Sequence, residues 1–338
     1  MGTMVFDPEI LADSLSETAG YKAGLALSLD EICDHLSGTA YPDIIRTSET
    51  HVVRLRAEEY DLLFYKLLHR IGYTKEEYDG DMIGVRLFHK YKSTALVEYE
   101  GVVKLYIEIW PRLIQEALDN GTKSIDPTPF LQACFDKYGK IGFDIAMEQI
   151  EAVDRFVNLN PHSGTRYTEW RDPLPLSALF AGTDTEPEAG KYIDQRFIDY
   201  LSSNPEQLAS MHWRKLEELA AEFFSRQGFQ VKLGPGTNDD GVDIRIWKPT
   251  QTATDQPHYL IQCKRQKAKI EKVVVKGLFS DVTFEEAKYG LIVTTSELSP
   301  GARKTISVRG YPIREINRVG LKKWLTRLRT PGTGIVRI

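Results

Sequence analysis

Two stretches decide the fold of the second half of this chain, and they read Asp239-Asp240-Gly241-Val242-Asp243-Ile244-Arg245-Ile246 and Leu260-Ile261-Gln262-Cys263-Lys264-Arg265. The alternation of apolar and polar side chains in each stretch predicts two neighbouring strands. Asp239 and Asp240, followed by a glycine, are typical of a turn between strands. Asp243 differs because it lies within the strand pattern, where aspartate is disfavoured, and the alternation turns it away from the apolar face.

The second stretch places Gln262 and Lys264 on one face, because side chains two apart in a strand point to the same side. Beside Asp243, this pair has a chemical use. Asp243 offers a hard anionic oxygen and Gln262 a neutral carbonyl oxygen, which are ligand types that Mg²⁺ accepts. Lys264 can stabilise an attacking hydroxide or the charge that develops on a phosphate. An exposed sheet face with a structural Lys–Asp pair is the simpler alternative for the same pattern.

A helix predicted over residues 210–227 contributes one further acid. Glu217 is followed at three, four and seven residues by alanine, alanine and phenylalanine, which turns it toward the packed side of that helix. Glu218 and Glu222 are expected on a solvated face. A carboxylate that faces a core is costly unless it meets a cation or a donor, so Glu217 is the functional candidate of the three.

Five segments of the chain occur in the order and with the spacing of a known family. Over residues 190–328 the sequence resembles the Mrr-like branch of the PD-(D/E)XK restriction-endonuclease superfamily. In that branch glutamine replaces the acidic residue of the (D/E)XK motif, so Gln262 fits the branch although it departs from the parent pattern. The matching segments are Leu216-Glu217-Glu218-Leu219, Gly228-Phe229, Gly241-Val242-Asp243-Ile244, Ile261-Gln262-Cys263-Lys264-Arg265 and Ile292-Val293-Thr294-Thr295-Ser296.

The resemblance implies an endodeoxyribonuclease that depends on Mg²⁺, with Mn²⁺ as a substitute, and hydrolyses phosphodiester bonds of double-stranded DNA. Asp243, Gln262 and Lys264 would then form the metal-and-catalysis set, and Glu217 would complete it from the helix. The expected metal ligands are Asp243, Gln262 and Glu217. A role in restriction or anti-phage defence is also implied.

The order of the predicted elements indicates an α/β protein with two domains. After residue 190, strands alternate with helices, which predicts a mixed, restriction-endonuclease-like sheet flanked by helices. The residues before it are expected to form a mainly α-helical domain, because apolar residues recur at three- and four-residue steps in 54–72 and 130–156. Residues 97–110 are ambiguous between a strand pair and a buried helix. The predicted division is 1–160, a linker of Pro, Gly and acidic composition at 161–190, and 191–338.

The charge is distributed unevenly between the two parts. The net charge is −5, yet residues 210–338 hold 23 basic and 13 acidic side chains, whereas residues 1–209 hold 20 basic and 35 acidic ones. The basic part can approach a polyanion, and the acidic part is repelled by one. The acidic domain is therefore expected to serve as a sensor, specificity or oligomerisation module, through self-association into a homo-oligomer or contact with a protein trigger.

Composition narrows the class of protein. Hydrophobic residues at 42% and charged residues at 27% are ordinary for a soluble globular protein. Three widely spaced cysteines argue against a disulfide framework and against a zinc site, and favour a reducing compartment. The N-terminal residues show no signal-peptide pattern, and no apolar segment approaches the roughly 20 residues that span a bilayer. A cytoplasmic location is expected.

Basic side chains around and beyond the second stretch are candidates for contact with DNA phosphates. Each of them is explained equally well as a solvated surface residue. The positive net charge of the whole domain is what supports binding of nucleic acid. The candidates are Arg265, Lys267, Lys269, Lys272, Arg303 and Lys304.

Two alternatives to this function remain open. The domain can be a DNA-binding module that no longer cleaves, although Glu217, Asp243, Gln262 and Lys264 are all present. It can also be a nuclease that acts on branched DNA in repair, which the same fold supports.

Overall fold

The structure is a computed structural model that describes residues 2–75, 77, 83–122, 124–159, 170–182, 191–236, 241–329 and 336–337. The chain divides into two compact units, Met1–Pro173 with Thr330–Ile338, and Leu174–Arg329. The sequence places residues 330–338 with the second domain, and the observed division differs there. The predicted turn at Asp239 and Asp240 lies outside the described residues, as do most residues of the predicted linker.

The first unit is mainly helical. Two of its strands, β1 and β3, pair antiparallel near the start of the chain. None of the helices in the described part of the chain is long and apolar enough to cross a membrane. The elements of this unit in chain order are β1 (Thr3–Phe6), α1 (Ile10–Ala23), β2 (Leu25–Ala26), α2 (Leu29–His35), α3 (Tyr41–Ser48), β3 (Val53–Arg56), α4 (Ala57–Arg70), α5 (Ile83–Tyr91), α6 (Leu96–Asp119), β4 (Ser124–Ile125) and α7 (Thr128–Leu159).

The ambiguous segment is helical, because residues 97–110 lie within the single helix α6. Gly101 explains how α6 packs against α7, since a Cβ at this position would overlap the ring of Tyr138. Helix α7 is interrupted at Gly139, whose φ of 63° and ψ of −151° are not helical. A side chain would be strained in that conformation, so glycine allows the change of direction.

The second unit contains the predicted mixed sheet. Its elements are β5 (Leu174–Pro175), α8 (Leu176–Phe180), α9 (Gln195–Ser203), a 3-10 helix (Pro205–Ala209), α10 (Trp213–Arg226), β6 (Gln230–Leu233), β7 (Ile244–Trp247), β8 (Tyr259–Lys264), α11 (Lys272–Phe284), β9 (Tyr289–Thr294), α12 (Pro300–Arg309), β10 (Ile313–Ile316) and α13 (Arg318–Leu328). A further strand, β11 (Val336–Arg337), pairs antiparallel with β4 and belongs to the first unit.

Five of the described strands form one sheet in the order β10-β9-β8-β7-β6. Strands β8, β9 and β10 are parallel, because α11 and α12 carry the chain back between them. Strands β6, β7 and β8 are antiparallel and follow one another directly. The α/β architecture that the sequence predicts is confirmed.

Helices cover both faces of this sheet. The ring of Tyr259 contacts Phe224 of α10, with 5.6 Å between ring centroids. Its neighbour Leu260 instead clusters with Val275 and Leu278 of α11. Adjacent residues of a strand point to opposite faces, so α10 and α11 lie on opposite sides of β8.

Candidate active site

Asp243 lies at the entrance to β7 and is tied to the neighbouring strand twice. Its main-chain N–H donates to the carbonyl of Ile261 at 3.0 Å. Its Oδ2 accepts the main-chain N–H of Cys263 at 2.5 Å. The side chain is buried, with 7% of the residue exposed. The sequence places Asp243 within the strand, and the structure places it one residue before β7 begins.

Gln262 carries a buried acceptor that has no hydrogen-bond partner among the residues the structure describes. Its residue is half-buried between the buried Ile261 and Cys263, as the alternation predicts. Within the described part of the chain, nothing donates to its Oε1. Its Nε2 lies near the backbone that leads into Asp243, since a Cβ built on Gly241 would be 3.4 Å away. A buried acceptor left without a partner costs about 1–3 kcal/mol, so the carboxamide of Gln262 lowers the free energy of unfolding.

Lys264 follows on the same face of β8 and is also half-buried. No ion pair or side-chain hydrogen bond engages its ammonium group among the described residues. The strand around it is fixed, because its carbonyl accepts hydrogen bonds from Thr294 Oγ1 at 2.7 Å and from the N–H of Thr295 at 3.3 Å. The backbone that carries this positive charge is therefore fixed, and no counter-ion for the charge lies among the described residues.

The pKa of the Cys263 thiol depends on the charged side chains around it. Burial raises its pKa well above the ordinary value of 9.0, the negative charges of Asp243 and Glu217 raise it further, and Lys264 lowers it. The predicted residues Glu217, Asp243 and Lys264 therefore each act electrostatically on this one thiol. The thiol itself stays neutral, so it adds no charge to the site.

Glu217 is buried on α10, as the helical spacing predicts, with 4% of the residue exposed. Its Oε2 accepts a hydrogen bond from Nη1 of Arg214 at 2.8 Å in a buried ion pair. Arg214 is not identified by the sequence reasoning. The sequence does contain a pattern that predicts this ion pair. Arginine and glutamate three residues apart bring their side chains together on a helix.

The expectation that Glu218 and Glu222 face solvent is wrong. They are 1% and 2% exposed. The helix is enclosed on more than one side, because α10 packs against β6, β7 and β8 and also against α13. Each acid has its own partners: Lys215 for Glu218 at 2.8 Å, and Arg226 and the main-chain N–H of Tyr192 for Glu222, both at 2.7 Å. Helical spacing predicts which side chains of a helix are buried only when the opposite face of that helix is open to water.

Comparison with known proteins finds a family whose model matches part of this chain. Residues 208–325 match the model of the Mrr catalytic domain, described as "Restriction endonuclease". The second unit carries an Mrr-like restriction-endonuclease domain. The match contains Glu217, Asp243, Gln262 and Lys264 and supports nuclease function for this domain.

Two further proteins are similar to parts of the chain. The "Uncharacterized protein y4cE" of Sinorhizobium fredii is 27% identical over 95 residues, which are 28% of this chain and 24% of that protein. The solved structure "MspJI Restriction Endonuclease in Complex with 27-mer Oligonucleotide" is 22% identical, with a TM-score of 0.30, over 40% of this chain and 33% of that one. The chain thus spans between a quarter and a third of the length of these two proteins.

The donor set of the Mrr-like domain fits a hard divalent cation. The described residues contain no group of three or more His, Cys, Asp and Glu side chains that could hold a metal. The carboxylate of Asp243 and the buried, unpartnered Oε1 of Gln262 offer oxygen donors instead. Mg²⁺ suits this small set, because it keeps several waters and binds through one or two carboxylates together with substrate phosphates. The residues present therefore fit Mg²⁺ better than zinc, which favours nitrogen and sulfur ligands.

The basic candidates of the Mrr-like domain differ in how their charges are used. Lys269 pairs with Glu297 at 2.7 Å, and Arg303 pairs with Glu297 and Glu315 at 3.2 Å each. Arg265 donates to the carbonyl of Ala209 at 3.1 Å. The other three candidates are exposed and form no ion pair with another described residue: Lys267, Lys272 and Lys304.

Proposed function

We propose that this protein is an endodeoxyribonuclease that depends on Mg²⁺, for which Mn²⁺ substitutes. The observation that carries the proposal is the buried Oε1 of Gln262, which has no donor among the described residues and belongs to the strand whose Cys263 N–H holds the buried carboxylate of Asp243. The lysine two residues further along this strand has no counter-ion among the described residues. An acid, a carboxamide and a lysine on neighbouring segments of one sheet are a set that suits metal-dependent phosphodiester hydrolysis.

Each residue has a distinct role in this proposal. Asp243 and Gln262 would hold the metal ion, which when bound polarises a phosphoryl oxygen and makes water more acidic. The N–H of Cys263 fixes one oxygen of Asp243 and thereby orients its carboxylate. Lys264 places a compact positive charge where negative charge grows on the phosphate. Glu217 completes the set from α10, with one oxygen held by Arg214.

Double-stranded DNA is the proposed substrate. The residues from 210 onward carry a balance of +10. Lys267, Lys272 and Lys304 are exposed and leave their charges available to phosphates. Phosphate contacts of this kind supply affinity but carry no base sequence, so the recognition sequence is not implied by them.

The first unit is proposed to control where or when the second one cuts. Its acidic composition makes it a poor DNA reader, which favours contacts with protein, either with a second copy of this chain or with a trigger. A nuclease joined to a separate sensing unit suits restriction or anti-phage defence, in which cleavage must be confined to foreign DNA. Sedimentation of the full chain with and without DNA tests the self-association.

Lys264→Ala separates an enzyme from a module that only binds DNA. We expect this variant to bind DNA as the wild type does and to cleave it at least about 10²-fold more slowly, because one preorganised charge at the developing phosphate charge is removed. Lys248→Ala is the matched control, since Lys248 is an exposed lysine in the loop between β7 and β8. Equal cleavage by the wild type and Lys264→Ala would contradict the proposed role.

Substrate form is tested separately. Linear, methylated and four-way-junction DNA of the same sequence, each offered with Mg²⁺, distinguish restriction-type cleavage from cleavage of branched DNA. Cleavage confined to the junction would assign the protein to branched substrates. Inertness on all three, with Mg²⁺ and with Mn²⁺, would contradict nuclease activity.

A further inference from the structure

Two buried ion pairs follow one another in the first turns of α10. Arg214 pairs with Glu217 and Lys215 pairs with Glu218, both at 2.8 Å and both three residues apart. Arg214 Nη1 also donates to the carbonyl of Gly234, outside the helix, at 2.8 Å. Lys215 Nζ makes no second hydrogen bond among the described residues.

That tertiary contact leads directly to Asp243. The N–H of Gly234 donates to the main-chain carbonyl of Asp243 at 2.7 Å, while its carbonyl accepts from Arg214. One glycine therefore joins the guanidinium to the backbone of the acidic residue. The segment lies close against the helix, because a Cβ on Gly236 would be 3.2 Å from Arg214 Nη1.

The same guanidinium nitrogen consequently links Glu217 on α10 to the residue that is hydrogen-bonded to Asp243. Glu217 lies on α10, and Asp243 lies immediately before β7. The position of Gly234 relative to α10 therefore contributes to the geometry of both acids.

We propose that Arg214 is a positioning residue of the nuclease centre, which sets the geometry of Glu217 and Asp243 and hence the affinity for the divalent metal. This inference rests on the proposed function, since it requires that a metal binds there. It assigns no contact between Arg214 and the metal or the DNA. The residue acts through Glu217 and through Gly234.

The Lys215–Glu218 pair separates this role from plain structural support. Its members are 10% and 2% exposed in their side chains, against 9% and 5% for Arg214 and Glu217. Removing the cation of either pair takes the ion-pair partner from a buried carboxylate and destabilises the fold to a similar degree. Only the Arg214 variant also loses the bond to Gly234 and the partner of a proposed metal ligand, so a difference in metal binding between the two variants arises from these contacts and not from the loss of a buried ion pair as such.

The experiment measures Mn²⁺ binding to the full chain in the absence of DNA, by the electron paramagnetic resonance signal of free Mn²⁺. Arg214→Met is expected to weaken Mn²⁺ binding by about 10- to 100-fold, as the loss of an orienting partner does at metal sites. Lys215→Met is expected to bind Mn²⁺ as the wild type does while losing a similar amount of thermal stability. Arg214→Lys keeps the charge and several donors on one nitrogen, and it is expected to recover part of the affinity.

The outcomes separate this inference from the proposed function. Wild-type affinity in a folded Arg214→Met, or an equal loss in Lys215→Met, would overturn the positioning role while Asp243→Ala still abolishes binding. Absence of Mn²⁺ binding in the wild type would overturn both. If Arg214→Met does not fold, Arg214→Lys and Gly236→Ala perturb the same contact, and wild-type affinity in both would contradict the inference.

Discussion

Oδ2 of Asp243 accepts the main-chain N–H of Cys263 at 2.5 Å. Cys263 separates Gln262 from Lys264 along β8, so this bond fixes the acid relative to both functional side chains of the neighbouring strand. The geometry of the site thus depends on the backbone of β8 as well as on side-chain packing. Substitutions at Cys263 that keep the backbone in place are therefore compatible with the arrangement of the other three residues.

Gln262→Met is expected to raise stability and to lower metal binding together. The substitution removes a buried acceptor that has no partner among the described residues, which is worth about 1–3 kcal/mol. It also removes a proposed metal donor. Thermal unfolding without metal and Mn²⁺ binding measure the two effects. Gln266→Met is the control, since Gln266 Nε2 already donates to the carbonyl of Ala268 at 3.0 Å, and it should gain no stability. A fall in stability for Gln262→Met would contradict the account of this carboxamide.

Asp199→Asn is expected to stabilise the second unit at neutral pH. Burial raises the pKa of Asp199 from 3.8 to about 6, although Gln195, Arg329 and Arg226 lower it. Because the pKa of Asp199 is higher in the folded state than in the unfolded state, its contribution to the free energy of unfolding is most favourable at a pH below the unfolded-state pKa. This contribution is lost as the pH rises from 3.8 to about 6. The aspartate therefore costs up to about 2–3 kcal/mol at pH 7, from roughly 1.4 kcal/mol per pKa unit.

Denaturant unfolding of the wild type and of Asp199→Asn between pH 3 and pH 8 checks this pKa. The asparagine variant should be the more stable of the two above about pH 6, and the difference should disappear below pH 3.8. A difference that does not vary with pH would show that Asp199 does not titrate in this range.

Lys267→Ala and Lys269→Ala are expected to differ in their effect on DNA binding. Lys267 is exposed and has no ion pair with another described residue, whereas Lys269 pairs with Glu297 at 2.7 Å. Loss of one phosphate contact lowers the slope of log affinity against log salt by about one. We expect this change for Lys267→Ala and a smaller one for Lys269→Ala. Equal slopes for the two variants would show that the ion pair does not withhold the charge of Lys269 from DNA.

The sequence predicts the second unit well because its elements are short, strongly patterned and joined by distinct turns. The strand that contains Gln262 and Lys264 appears at the predicted place as β8, with the predicted alternation of burial. The burial of Glu217 also follows from helical spacing. The first unit was harder to predict, because residues 97–110 of α6 contain the β-branched and aromatic residues of a strand and are helical through their packing against α7.

What the sequence could not show is the set of contacts between distant residues. Glu218 and Glu222 look solvated by spacing, yet α13 and the segment before α9 enclose their face of α10. Arg214 appears as an ordinary helix arginine until the carbonyl of Gly234, twenty residues later, is found 2.8 Å away. Likewise, no local pattern reveals that Oε1 of Gln262 is buried without a donor in the described part of the chain.

If Asp243 belongs to a metal-dependent nuclease centre, DNA cleavage depends on its carboxylate, which Asp243→Ala removes. The full-length wild type, Asp243→Ala and the control Asp255→Ala, which alters an exposed acid between β7 and β8, are each incubated with linear, methylated and junction DNA and Mg²⁺. We expect the wild type and Asp255→Ala to cleave at least one substrate, and Asp243→Ala to bind that DNA without cleaving it. Cleavage by Asp243→Ala at the wild-type rate would contradict this expectation.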